Sequence, residues 1–396
     1  MAKLIEITGK ALSGEWGSDD TNGIGIPVLR TTNFTNEGVV NYQNVVTRII
    51  TKPNISEKYL RSGDIIIEKS GGSDKQPVGR VIYYDGPENT YLFNNFTGLL
   101  RVKDPSKWFP KYTFYALFAN YWRGGTRHFE NKTTGLHNLK IDDYVSRFEI
   151  PEVPLDQQMH ICDILDKVHF LIDSRKQQLT ELDNLIKARF VEMFGDPEYN
   201  NMGWKTEFLG ELCEVGSSKR IYQNEQSTKG VPFLRISDLV NKMDTGINDC
   251  DLYIPESRFS ELLELGLVPK SGDILVTARG TLGRCYIIKP EDKFYFQDGM
   301  ITWLSQFSNS VTALYISYLF TMPGFRKQID GLQAGSTVAY LSISMTKKLV
   351  VMLPPVELQD EFAAFVKQVD KSKVVVQKAL DEAQTLFDSL MQEYFR

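Results

Sequence analysis

Two stretches of the chain repeat apolar residues at alternating steps of four and three. The first takes Ile161, Leu165, Val168, Ile172, Arg175, Leu179, Leu182, Ile186, Arg189 and Met193; the second takes Phe362, Val366, Val369, Lys373, Val376, Leu380, Ala383, Phe387, Leu390 and Tyr394. Such spacing draws a seam along a helix that wraps against a partner in a left-handed coiled coil. An amphipathic helix lying on its own domain is the alternative, but two matched seams of equal length favour pairing with each other. Pro154 and Pro355 stand just before the two helices, and Gly195-Asp-Pro197 ends the first. At ~1.5 Å per residue each helix spans about 55–60 Å. Elsewhere the pattern shortens to β-type runs between turn signals: Ile65–Ile67, Val81–Tyr84 and Leu99–Val102 early in the chain, Ile274–Val276, Cys285–Ile288 and Met300–Leu304 later. Aromatic-rich helical stretches, Tyr112–Trp122 and Ala313–Met322, follow each set.

The same order occurs twice because the chain is a tandem duplication. Gly25-Ile-Pro-Val-Leu-Arg30 returns as Gly230-Val-Pro-Phe-Leu-Arg235, and Ser62-Gly-Asp-Ile-Ile66 as Ser271-Gly-Asp-Ile-Leu275. Gly79-Arg80 returns as Gly283-Arg284, Asn138-Leu139 as Tyr340-Leu341, and Pro154-Leu-Asp-Gln-Gln158 as Pro355-Val-Glu-Leu-Gln359. The fold class expected is α+β: globular domains at 1–153 and 197–353, with helices at 154–196 and 354–396. The first helix leads away from the first domain and the second points back from the second, so the pair should run antiparallel as the bar of a dumbbell. Arg175, Arg189 and Lys373 are the polar members of the seams and are expected either to fix register or to sit near an end in solvent.

Composition narrows the class. The chain has 396 residues, is 42% hydrophobic and 24% charged, and has a formal net charge of −5. That is the make-up of an ordinary globular chain. No apolar stretch approaches the ~20 residues that cross a bilayer, and MAKLIEITGK has no signal-peptide core. Cys162, Cys213, Cys250 and Cys285 form no CxxC pair. A cytoplasmic protein with reduced thiols and no membrane partner is expected. The net charge argues at first against nucleic acid, but residues 1–150 hold 19 Lys+Arg against 16 Asp+Glu, the acidity being concentrated in the helices. A DNA-binding face is allowed.

Catalytic signatures are missing. There is no GxxxxGK[ST], HExxH, GxSxG, zinc spacing or Asn-Pro-Pro-aromatic run, and His128, His137, His160 and His169 are scattered, so no metal site is expected. Asp273 with Glu291-Asp-Lys293 has the outline of a nuclease D…ExK site. The first copy has no lysine in that slot, and the repeated Ser-Gly-Asp explains Asp273 as turn chemistry.

The duplicated layout, the Gly-(Ile/Val)-Pro-x-Leu-Arg start, the Ser-Gly-Asp-Ile turn and the Pro-x-x-x-Gln helix opening resemble a specificity (S) subunit of a Type I restriction-modification system. Leu185-Ile-Lys-Ala-Arg-Phe-Val-Glu-Met-Phe-Gly-Asp-Pro197 with Gly203-Trp204 is similar to that family's central junction. The resemblance covers nearly the whole chain. It implies a non-catalytic subunit with two target recognition domains, each reading half of a split double-stranded DNA sequence. The helices would set the spacer and dock two methyltransferase subunits, with restriction/translocase subunits joining the complex. S-adenosylmethionine, ATP and Mg would belong to those partners, and no cofactor to this chain. One departure is that Trp204–Leu212 precedes the second domain whereas the first begins almost directly at Leu4, so the first is expected to lack an opening strand or to borrow packing from the end of the second helix. A coiled-coil adaptor without sequence-specific DNA binding is the alternative function.

DNA contacts are expected from basic and small residues in matching loops: Lys69, Ser70, Gly71, Gly72 and Arg80 against Arg279, Gly280, Thr281 and Arg284. Glycine lets backbone N–H groups approach phosphate, and Arg or Lys can reach guanine edges. A second pair of segments holds Thr133, Thr134 and His137 against Ser336, Thr337 and Tyr340; Asn95, after Asn94, and Gln297 carry amides suited to adenine. Arg30 and Arg235 repeat too faithfully to read different bases and are assigned to structure or phosphate.

Overall fold

A computed structural model describes residues 1–53, 55–133, 136–332 and 339–396; Thr134, Ser336 and Thr337 lie outside them, as do the side chains of Lys132 and Thr133. Two compact units emerge, Met1–Lys176 with Lys378–Arg396, and Gln177–Gln377. The division falls inside both long helices, Leu155–Phe194 and Val356–Tyr394, rather than at the expected domain ends. The reason is packing, because each half-helix buries its apolar stripe in the core of one unit.

In the first unit an antiparallel sheet runs in the order Leu12–Ser13, Thr97–Leu100, Asp64–Glu68, Val81–Tyr84. Its central strand is buried on both faces. Ile65 and Ile67 enter the main core with Tyr112, Leu165 and Phe387, while Ile66 enters a second cluster with Leu29, Phe93 and Leu99. Period-two alternation thus divides one strand between two cores. A mixed sheet, Ser18–Asp19, Val46–Ile49, Ile26–Leu29 and Leu92–Phe93, covers that second cluster, and helix Pro110–Trp122 contributes to the main core.

The second unit repeats the plan. Glu214–Gly216, Ile301–Ser305, Ile274–Thr277 and Cys285–Ile287 form the antiparallel sheet in the same order. Ile274 and Val276 face the helical core, Leu275 the opposite one. The Ser-Gly-Asp turn owes its repetition to local chemistry. Gly63 and Gly272 take φ of 94° and 92°, and Asp64 and Asp273 each accept a backbone N–H, from Arg61 and Lys270, at 2.8 Å. Asp273 also accepts from Trp303 Nε1, Asp292 is paired with Lys242 and Lys293 with Glu256. The nuclease outline is therefore made of turn and ion-pair residues.

Of the two expectations for the start of the first domain, borrowed packing holds, since Phe387, Met391 and Phe395 at the end of the second helix share a core with Leu4 and Ile7, and the missing opening strand is corrected. Ala2–Lys3 pairs with Glu149–Ile150 as Thr206–Phe208 pairs with Val350–Met352, and short helices Leu4–Thr8 and Leu209–Leu212 follow. Two residues suffice because Leu4 N donates to Phe148 O and Leu4 and Ile7 are fully packed.

The helix seams are buried where each half-helix meets its unit. Ile161, Leu165, Val168 and Ile172 pack with Phe387, Met391 and Phe395 in the first unit. Ile186, Phe190 and Phe194 pack with Phe362, Val366 and Val369 in the second. The contacts run antiparallel within each unit. Leu179, Leu182, Val376 and Leu380, nearer the middle, are half-buried. At the far ends the burial step becomes four, so Met391 and Phe395 lie deeper than Leu390 and Tyr394, and Phe190 and Phe194 deeper than Arg189 and Met193. Lys373 reaches Asp183 on the other helix at 2.5 Å.

Candidate nucleic-acid interface

Three chain segments meet at one residue in each unit. Lys69 N donates to Phe96 O at 2.8 Å and Lys69 O accepts from Leu139 N at 2.8 Å. At the matching place Ala278 N donates to Met300 O and Ala278 O accepts from Leu341 N, both at 2.9 Å. One residue on, Ser70 pairs with Asn138 and Arg279 bridges to Tyr340. The equivalence extends upstream, where Glu68 N donates to Arg80 O and Thr277 N to Arg284 O. The loops expected to hold DNA contacts are thereby brought together on a common backbone.

The side chains on that backbone differ. The first junction carries half-buried Lys69, whose Nζ donates to Ser13 Oγ at 2.8 Å, with Ser70, exposed Asn95 and exposed Phe96 beside it. Burial holds the Lys69 ammonium below its ordinary pKa. Gly71 has φ 135°, a backbone region in which a side chain would be strained. The second junction carries exposed Arg279, Gly280 and Thr281, with the Arg279 guanidinium 4.9 Å from the ring of Tyr340. Planar guanidinium and stacked phenol form a preorganised face with outward hydrogen-bonding groups.

Several expected contact residues turn out to be scaffold. Arg80 donates to Thr31 O and Phe34 O at 3.0 and 3.1 Å, and pairs with buried Glu68. The two terminal nitrogens of its guanidinium fasten a loop to the sheet. Burial raises the pKa of Glu68, an effect that Arg80 opposes. His137 is 5% exposed, with Nδ1 2.9 Å from Glu130. Gly72 is buried, and a Cβ there would come within 2.5 Å of Val78 N. Asn94 is buried too. Gln297 is half-buried, with its backbone N–H on Leu234 O. Arg284 stays at the surface in an ion pair with Asp244, 2.5 Å apart. Arg30 and Arg235 engage Asn44 O and Asp238, which favours the structural half of their assignment. Among the described residues no group of three or more His, Cys, Asp and Glu could hold a metal ion, and no helix is long and apolar enough to cross a membrane.

Phe96 stands exposed at the first junction without having been among the expected contact residues. Its one signal is an aromatic residue inside the polar turn Asn94-Asn-Phe-Thr97.

The family model described as Type I restriction modification DNA specificity domain matches residues 2–184 and again 201–383. The chain belongs to that family and carries its domain twice. The specificity subunit of the EcoKI Type I restriction enzyme from Escherichia coli K12 is 25% identical, with 94% of this chain and 82% of that protein covered. A putative specificity subunit of Haemophilus influenzae, S.HindORF215P, is 25% identical over 74% of this chain and 80% of its own length. Among solved structures, the S subunit of a Type I system from M. genitalium matches with a TM-score of 0.53 at 16% identity, covering 100% of this chain and 95% of that one. A chain from a structural study of assembly and conformational transition of the Type I R-M system matches with a TM-score of 0.56 at 16% identity, covering 100% and 97%.

Proposed function

We propose that this chain is the non-catalytic DNA-recognition subunit of a Type I restriction-modification complex, in which each unit reads one half of a bipartite target. The observation that carries this reading is the junction built twice on the same backbone hydrogen bonds but dressed differently, Lys69, Ser70, Phe96 and Asn138 against Ala278, Arg279, Met300 and Tyr340. A repeated scaffold with unlike outward groups suits two readers of unlike sequences. Base-edge contacts specify, whereas phosphate contacts position.

The long helices, each shared by both units, would set the spacer between half-sites and dock two methyltransferase subunits. Exposed Phe170 and Leu171, and exposed Val374 and Val375, are apolar groups on the helix surfaces that such partners would cover. S-adenosylmethionine would serve the methyltransferase subunits, and ATP and Mg the restriction/translocase subunits. The setting would be the cytoplasm. With a net charge of −5 the chain would draw much of its phosphate contact from its partners.

The test is a methylome read in a host carrying the cognate methyltransferase subunit, with and without this chain. A new bipartite adenine-methylation motif that needs the chain is the expected result. No new motif, with the partner folded and bound, would sink the proposal and leave the adaptor role.

A further inference from the structure

We propose that Phe96 reads the first half-site through apolar contact with a thymine 5-methyl group in the DNA major groove. This rests on the DNA-recognition reading above and adds to it a residue and a chemical group.

Phe96 is 52% exposed, in a turn whose backbone is tied down at both ends. Thr97 donates from both N and Oγ1 to Asn94 O at 3.1 and 2.8 Å, Asn94 N donates to Leu29 O at 2.9 Å, and Phe96 O accepts from Lys69 N. The turn is held in place, so only two side-chain torsions remain to be ordered on binding.

The surroundings indicate which partner. The turn also presents the exposed amide of Asn95, and the neighbouring strands present Ser13, Ser70 and the ammonium of Lys69. One ring framed by hydrogen-bonding groups and a cation matches a surface that offers polar edges, nearby phosphate and a single apolar group. The major groove is such a surface, since the thymine methyl is the apolar group among its base edges. A docked protein would instead call for an apolar centre to the patch. At the equivalent backbone position the second unit has half-buried Met300, next to the stacked Arg279 and Tyr340, so the effect belongs to the first half-site alone.

The test uses the assembled complex of this chain with its methyltransferase subunits. Binding is measured on duplexes in which each thymine of the first half-site is replaced in turn by deoxyuridine, which removes only the methyl. Wild type is expected to lose about fourfold at one position, the worth of one buried methyl. Phe96→Ala should weaken binding to the parent duplex about tenfold and abolish the difference between thymine and deoxyuridine there. Phe96→Leu, which keeps an apolar side chain, should retain part of that difference. Discrimination in the second half-site should be unchanged in both variants, which also shows that they are folded. The inference is overturned if no first-half position responds to deoxyuridine, or if Phe96→Ala responds as wild type does. A wild-type complex with no sequence preference in either half would instead bring down the recognition reading itself.

Discussion

Gln158 and Gln359 show how much one side chain can organise. Each is buried, and each amide oxygen accepts a backbone N–H, from Phe109 or Thr312, at 2.8 Å. The amide nitrogens donate to Lys107 O and Val153 O, and to Ser310 O and Pro354 O. One amide thus ties the start of a long helix to the start of the aromatic helix and the approach to it, which is the physical content of the Pro-x-x-x-Gln repeat. Removing it strands buried groups from both segments. Gln158→Ala should cost about 1–3 kcal/mol, seen as a lowered midpoint of thermal or urea unfolding; an unchanged midpoint would contradict the assignment. The repeat was legible because a fixed local geometry demands a fixed residue. The contact residues were legible only as loops. Arg80, His137 and Gly72 have the composition of a DNA-binding loop, yet they face inward because Glu68, Glu130 and Val78 lie beside them in the fold. Phe96 escaped notice for the converse reason, since an aromatic residue reads as core until its neighbours are known.

At the scale of the element, the long helices were the most legible part of the molecule. A 4/3 step sustained over ten positions arises from little besides a helix packed along one seam, and both helices form, at 40 and 39 residues. The seam departs from that step at its far ends, where each helix meets a globular core as well as its partner helix. There Tyr112 and Tyr315 set the contact, with ring centres 5.1 and 5.0 Å from Phe395 and Phe194. Backbone caps reinforce it: Arg123 donates to Phe395 O and Trp204 Nε1 to Phe194 O. This also gives Trp204 of the central junction a structural reason. The outward apolar residues of the helices carry a prediction of their own. Val374→Asp with Val375→Asp should leave the chain folded, both sites being 69% exposed, yet prevent co-purification with the methyltransferase subunit. Retained co-purification would move the docking surface elsewhere.

For the molecule as a whole, the duplication was legible from order alone, and the structure aligns it residue by residue through backbone hydrogen bonds. The domain limits were not, because sequence order hides the fact that a helix 40 residues long serves two cores. If the two junctions read independently, replacing residues 1–150 by those of a relative with another target should change one half of the methylation motif and spare the other. A change in both halves would show that the units do not read separately.

The way the first unit is closed bears on how the protein is made. Unit two is a continuous stretch, Gln177–Gln377, whereas unit one needs Lys378–Arg396 brought back to Met1–Lys176. During synthesis the second core has all its residues before the first does, although its sequence comes later. The first must wait, with Ile161 and Leu165 uncovered, for Phe387, Met391 and Phe395 to leave the ribosome. A chain that stops before Phe387 therefore has the second core finished and the first unfinished, so that, on the proposed reading, such a truncation would remove half of the address rather than alter it.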